Sequence, residues 1–444
     1  MSTLIIVHGW SDDSKSFRKL SNQLANWFGG PPLQIHLADW ISLQDDVTYP
    51  DLVEAMERAW RGLNLPRAPR SVDIVTHSTG ALVVRDWMTR FFTPETAPIM
   101  RFLMLAPANF GSPLAHTGQS FLGRVIKGWN KFIFQTGKQV LKGLELGSPY
   151  TVQLAQRDLF DPVNIWYGPG KVLATVLVGN SGYDGIEAIA NEDGGDGTVR
   201  ISTANLNAHQ LVLTLDQRQQ AQNWTYQQSN GAIGFAIVDG ENHSTIALKG
   251  SNASGTKNPT VTLALIRQAL SVTDADYQTV DSNFAWQQRL NAATTASIPN
   301  TPRMQNLITH VQDNLGQDVR EYLVQLYRKV NSDRAFEGQL YEKVIRDVHP
   351  YGDNPSYRSL YLSIDELDQI LAKFHTPTLY LSISAHPIFK PPRQPVGYTA
   401  VGPGDIDGLG VTAANVPQYF SPHRSLIVQL RIQRMIDQSV FVLT

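Results

Sequence analysis

The first half of the chain alternates strand-length apolar runs with amphipathic helices, and few folds accept that rhythm. Parallel strands need helical crossovers, and those helices cover both faces of the sheet they connect. Leu4–Val7 reads as the first strand, followed by a helix over Ser14–Trp27 that places Phe17, Leu20, Leu24 and Trp27 on one face. Leu33–Leu37 is a second strand and Asp51–Arg61 a second helix. Val72–Thr76 is a strand running straight into a helix that carries Leu82, Val83, Trp87 and Phe91, and Arg101–Leu105 and Val172–Val178 continue the series. Gln210–Leu215 and Gly234–Val238 are expected to be its last strands, closed by a helix over Pro259–Leu270. The pattern predicts an α/β domain with a mostly parallel sheet over residues 1–272. Residues 113–170, rich in helical and glycine-punctuated sequence, form an insertion expected to act as a cap.

At 444 residues the chain is long for one such domain. The stretch Asn291–Pro302 has neither helical nor strand period, so 273–300 is read as a helix and polar linker. Beyond it, Leu307–Val311, Tyr322–Tyr327, Tyr341–Val348, Ser359–Ile364, Thr378–Ser384 and Ser425–Ile432 are β-rich segments separated by turns, with one short helix at Asp365–Phe374. Residues 301–444 are therefore expected to form an all-β, sandwich-like domain.

Thirty-seven basic against 39 acidic residues, with no long run of like charge, speaks against a nucleic-acid partner. Cysteine is absent, which removes disulfides, thiolate metal sites and a thiol nucleophile together. The apolar runs are too short to span a membrane, and no apolar leader precedes the first strand. A cytoplasmic protein, or one secreted without a signal peptide, is the expectation.

The chemistry concentrates at Thr76-His77-Ser78-Thr79-Gly80. A strand that turns abruptly into a helix at a serine presents its Oγ at the tip of the sheet, with the positive end of the helix beneath it. His8-Gly9-Trp10 ends the first strand, where a hydrolase of this architecture supplies one oxyanion-binding amide; the other comes from the residue after the nucleophile. Those donors are Trp10 and Thr79. An acid is expected after a later strand, and Asp193 and Asp196 both qualify; a histidine is expected after the last strand, where His243 lies. His209 precedes a predicted strand and fits that place less well. The acidic, glycine-rich loop lacks the spaced oxygen ligands and terminal glutamate of an EF-hand.

The order serine, acid, histidine separates this arrangement from other serine hydrolases. With His8-Gly9, Arg85 seven residues beyond Ser78, Gly111-Ser112-Pro113, Gly147-Ser148-Pro149, Asp196-Gly197-Thr198-Val199 and Asn242-His243, residues 3–272 resemble the α/β-hydrolases of lipase and esterase type, close to bacterial triacylglycerol lipases and the PGAP1-like group. Two departures stand out: Thr76 where the family has glycine, and Ala81 where a second glycine is frequent. The resemblance selects Asp196 over Asp193 as the acid. It implies a lipase or phospholipase that cleaves lipid esters through an acyl-enzyme, with no metal or organic cofactor. The aromatic insertion residues Phe121, Trp129 and Phe132 are candidates for an acyl-chain site. A lipid or other ester is the implied substrate. A membrane surface, or a protein partner or secretion machinery reached through the C-terminal domain, fits the appended module. The rival readings are a non-catalytic binding protein on the same fold, and a thioesterase or peptidase.

Overall fold

The computed structural model describes residues 2–8, 16–41, 46–115, 138–184, 191–216, 221–280, 283–328, 334–375, 378–385, 396–398, 411–412 and 416–436. They fall into two compact units: Met1–Asn207 with Ser229–Pro302, and Ala208–Gln228 with Arg303–Thr444.

The first unit is built on strands β1 (Thr3–His8), β2 (Leu33–His36), β3 (Val72–His77), β4 (Ile99–Leu105) and β5 (Leu173–Gly179). The chain then makes a hairpin of β6 (His209–Leu215) and β7 (Ala221–Gln228) before β8 (Ile233–Val238). The sheet order is β2-β1-β3-β4-β5-β8 and every neighbouring pair is parallel. All six residues of β3 are buried, as expected for a central strand covered on both faces. Helix α1 (Arg18–Phe28) stops at Gly29, whose φ of 78° is the left-handed turn-off that glycine adopts without strain. Helix α2 (Tyr49–Gly62) begins in a capping box between Thr48 and Asp51. Helix α3 (Gly80–Phe91) packs on α2 through Trp60 and Trp87, whose rings lie 4.5 Å apart.

Sequence expectations need correction at several points. The segment 113–170 is not a cap throughout: its helix Pro149–Asp158 packs against α3, tied by a fully buried, bidentate pair of Arg85 with Asp158 at 2.7 and 2.8 Å. Tyr167 donates a third hydrogen bond to that carboxylate. The polar stretch around residue 291 is not a linker either, because Ala285–Ser297 is a helix lying along β8. Only Trp286, Leu290 and Ser297 are buried on it, too few to give an apolar period. Its polar side chains pair with the free edge of the sheet. Gln287 accepts from the Phe235 amide and donates to the Phe235 carbonyl, and Thr294 accepts from the Ile237 amide. An unpaired strand edge is a liability, and this helix covers it.

Gln210–Leu215 does not belong to the parallel sheet. Strand β6 pairs parallel with Ser425–Ile432, in a six-stranded mixed sheet whose order is Ile345–Pro350, Tyr357–Ser363, Met304–Asp313, Ser425–Ile432, β6, β7. A second, three-stranded sheet joins Leu323–Tyr327, Thr378–Ser384 and Val411–Thr412. The second unit is not all-β: the expected helix, Ile364–Lys373, sends Leu367 and Ile370 into the same core as Leu213, Leu362 and Leu430, and helical turns over Arg334–Gln339 and Leu340–Val344 run into the start of the segment Tyr341–Val348 expected as β.

Because β6 leans on Ser425–Ile432, a fragment ending at Pro302 exposes that flank together with Leu211, Leu213 and Leu215. Such a fragment is expected to aggregate in size-exclusion chromatography with light scattering. His209 and Gln228 are cross-strand partners, so a short Gly-Ser link in place of 208–228 closes the gap. That shortened fragment is expected to stay monomeric. Monomeric behaviour of the hairpin-bearing fragment would contradict the assignment.

In the second unit His209 and His423 are held neutral. Burial, reinforced by Arg424, lowers His209 from its ordinary 6.5 to about 4. Burial, with Arg303 and Arg424 outweighing Asp365, does the same to His423. Between those values the unfolded chain binds protons that the folded chain does not. The stability from these groups is thus complete above about pH 6.5 and is lost as the pH falls toward about 4. Thermal melts from pH 7.5 to 4 should show this decline, and His209→Gln should flatten it. An unchanged slope in the variant would remove His209 from the account.

Candidate active site

Strand β3 delivers Ser78 to the tip of the parallel sheet. Its φ is +55°, left-handed backbone that a non-glycine residue adopts only under constraint. The constraint is visible on both sides: the Ser78 amide donates to the Leu105 carbonyl at 3.1 Å, and α3 starts two residues later. Ser78 and Thr79 are partly exposed although β3 before them and Gly80 after them are buried. The tight turn is thus the one point at which this buried run reaches solvent. Thr76 is accommodated in the middle of the sheet, opposite Val7 and Met104, fully buried and with no hydrogen-bond partner on its hydroxyl.

The acid comes from the loop after β5. Gly194 and Gly197 take φ values of 70° and 91°, which let the chain fold back so that Asp196 points inward. Its Oδ1 accepts from the Thr198 and Val199 amides at 2.9 and 2.8 Å, leaving Oδ2 for another donor. A β-carbon on Gly197 would lie 2.6 Å from the Tyr183 ring, so this loop tolerates no larger residue without a shift. Asp196 is fully buried, whereas Asp193 is exposed.

His243 follows β8 in a turn organised by Asn242, whose side chain accepts from the Ser244 and Thr245 amides. Two residues earlier, Glu241 is buried and accepts from Thr256, from Thr262 at 2.6 Å and from the Asn258 amide at 2.8 Å. Burial alone would raise its carboxyl pKa. The hydrogen bonds from Thr245, Thr256, Thr262 and Asn258 outweigh that and hold it below the ordinary glutamate range. A charged carboxylate thereby anchors the histidine loop to the start of the helix Pro259–Ala269.

These three elements converge. His243 Nδ1 lies 3.0 Å from Asp196 Oδ2, and Nε2 lies 3.1 Å from Ser78 Oγ. The His243 amide also donates to the Asp196 carbonyl at 3.0 Å. A carboxylate can only accept, so Nδ1 carries the proton and Nε2 offers its lone pair to the serine hydroxyl. His209, the rival histidine, is in the second unit, bonded to Tyr226 and Arg424. Of the oxyanion donors, Thr79 sits at the N-terminus of α3, where the helix dipole favours negative charge. Trp10 lies outside the described residues, as do Phe121, Trp129 and Phe132. Among the described residues no helix is long and apolar enough to cross a membrane.

Sequence comparison finds no protein family and no curated protein that matches the chain. Solved structures do match it. Phospholipase PlaB from Legionella pneumophila superposes with a TM-score of 0.77 at 24% identity, covering 100% of this chain and 96% of that one. The structure of the same enzyme in complex with thio-NAD gives a TM-score of 0.79 at 23% identity, with the same coverage. The chain therefore shares, over its whole length, the fold of those structures.

Proposed function

We propose that the chain is a serine carboxylester hydrolase that cleaves lipid esters, a phospholipase or lipase, through an acyl-enzyme on Ser78. The observation that carries this reading is His243, bridging the Ser78 hydroxyl and the Asp196 carboxylate. A serine hydroxyl is a weak nucleophile until a base takes its proton. His243 Nε2 is placed to take it as Oγ attacks the ester carbonyl, and to return it to the departing alcohol. Asp196 holds the imidazole in that tautomer and stabilises the imidazolium that forms. The negative charge that develops on the carbonyl oxygen falls to the Thr79 amide, with Trp10 as the expected second donor; each such donor is worth about 3 kcal/mol in related chemistry. Water, deprotonated by the same histidine, then releases the acyl group.

The preference for lipid esters rests on the full-length likeness to a phospholipase and on the aromatic insertion of the sequence. The test is fatty-acid release from phosphatidylcholine and phosphatidylglycerol vesicles, beside triolein and p-nitrophenyl esters of graded chain length. Release from the vesicles is the expected result. Activity on short water-soluble esters alone would make the chain an esterase, and turnover of thioesters or peptides in preference to both would move it to the rival chemistries. No turnover of any of these by folded protein would sink the enzyme reading.

A further inference from the structure

We propose that His77 and Lys249 form a positioning pair that fixes the backbone of His243 relative to Ser78, a role that rests on the reading of Ser78 as the nucleophile. His77 is the last residue of β3 and is buried, next in the chain to the serine. Its Nε2 lies 2.8 Å from the His243 carbonyl oxygen, and its Nδ1 lies 3.2 Å from Lys249 Nζ. A carbonyl only accepts, so Nε2 carries a hydrogen; a lysine ammonium only donates, so Nδ1 is bare. The two partners thus select one neutral tautomer of His77, the one that donates toward His243.

Both polar backbone groups of His243 are then tied. Its N–H bonds the carbonyl of Asp196, and its C=O bonds the ring of His77. Because His77 and Ser78 share a peptide unit, the anchor and the nucleophile move together. The imidazole that must meet Oγ is registered against the strand that carries Oγ, across 165 residues of sequence. The rings of His77 and His243 also touch, with centroids 4.6 Å apart.

Lys249 is itself held for this task. Its ammonium lies 4.0 Å over the ring of Phe17, which meets His77 edge-on. The residue before it, Leu248, has a φ of +60°, an unusual conformation for a branched side chain. The chain turns back there, with the Lys249 amide donating to the Ser244 carbonyl. Lys19 fastens the next residue by donating to the Gly250 carbonyl at 2.7 Å.

A displacement of about 1 Å at a reacting pair costs on the order of 100-fold in rate. His77→Leu is therefore expected to lower kcat on p-nitrophenyl butyrate by roughly 30- to 100-fold, with KM within threefold. His77→Gln keeps an N–H donor and should recover to within about fivefold of wild type. Lys249→Met should lower kcat by about 5- to 20-fold at unchanged KM. Nitrogen-15 NMR of histidine-labelled wild type, near neutral pH, should show His77 protonated at Nε2 and bare at Nδ1. A kcat for His77→Leu within threefold of wild type overturns the proposal, as does a glutamine variant no better than leucine. An unchanged kcat in Lys249→Met, or an Nδ1–H tautomer, overturns it too. Should the leucine variant not fold, the glutamine and methionine variants and the tautomer decide. If wild type turns over no ester, the hydrolase reading fails by itself, and the nitrogen signals still report on the pair.

Discussion

Ser78→Ala is expected to lower kcat on a carboxylic ester by about 10⁶-fold, the scale seen when the nucleophile of a serine hydrolase is removed. The chemistry leaves no substitute. Cysteine is absent from the sequence, and Ser78 is the hydroxyl that faces His243 Nε2, at 3.1 Å. The loss should be confined to chemistry. Alanine carries the same left-handed strain at φ +55° that serine already carries, and the Ser78 amide bond to Leu105 is untouched. Melting temperature and KM should therefore change little while kcat collapses. A fluorophosphonate probe, with the adduct mapped by mass spectrometry, provides the direct check. Labelling of Ser78 in wild type and none in the variant is the expected pair of results. A label mapped to another serine would assign the nucleophile elsewhere.

The second large effect is expected from Asp196→Asn, about 10⁴-fold in kcat. The amide is nearly the same size, so the Thr198 and Val199 amides still find an acceptor in its oxygen. Its NH2 group then faces His243 Nδ1. A donor there forces Nδ1 to accept and moves the imidazole proton to Nε2, where it points at the serine and the base is lost. Asp193→Asn is expected to stay within about twofold of wild type, because that residue is exposed while Asp196 is buried against the histidine. Equal damage from both substitutions would give Asp193 a part in the acid function proposed here for Asp196.

The residues brought together at the site were legible because each sits in a short, stereotyped turn. A serine between a buried strand and a helix, a glycine-flanked aspartate and an Asn-His pair after a strand can be found without knowing what lies between them. Thr76 stands where the resembled pattern has glycine, but the left-handed backbone falls two residues later, at Ser78, so a β-branched residue fits at that point in the sheet. The positions of His77 and Lys249 were not legible. A histidine before a serine reads as part of the turn, and a lysine in a loop carries no pattern, until the fold sets their side chains on one another.

Partnership was the other thing the sequence hid. Strand β6 shows the alternation of Leu211, Leu213 and Leu215 that any half-covered strand shows, and nothing local distinguishes the sheet it joins. The part of the helix Ala285–Ser297 beyond Asn291 escaped for a different reason. The helix is held at a sheet edge by Gln287 and Thr294 more than by an apolar face, so composition made that part look like a spacer.

That pairing of β6 has a consequence in time. Leu426 is the partner of His209, 217 residues further along the chain. At roughly 5–20 residues per second, a ribosome takes about 10 to 40 s to make the missing neighbour. Ser78, Asp196 and His243 all emerge well before it, and so does every strand of the parallel sheet. The first unit can thus finish folding while the hairpin it has looped out waits with one flank bare, and for that interval the bare strand is open to pairing with another chain.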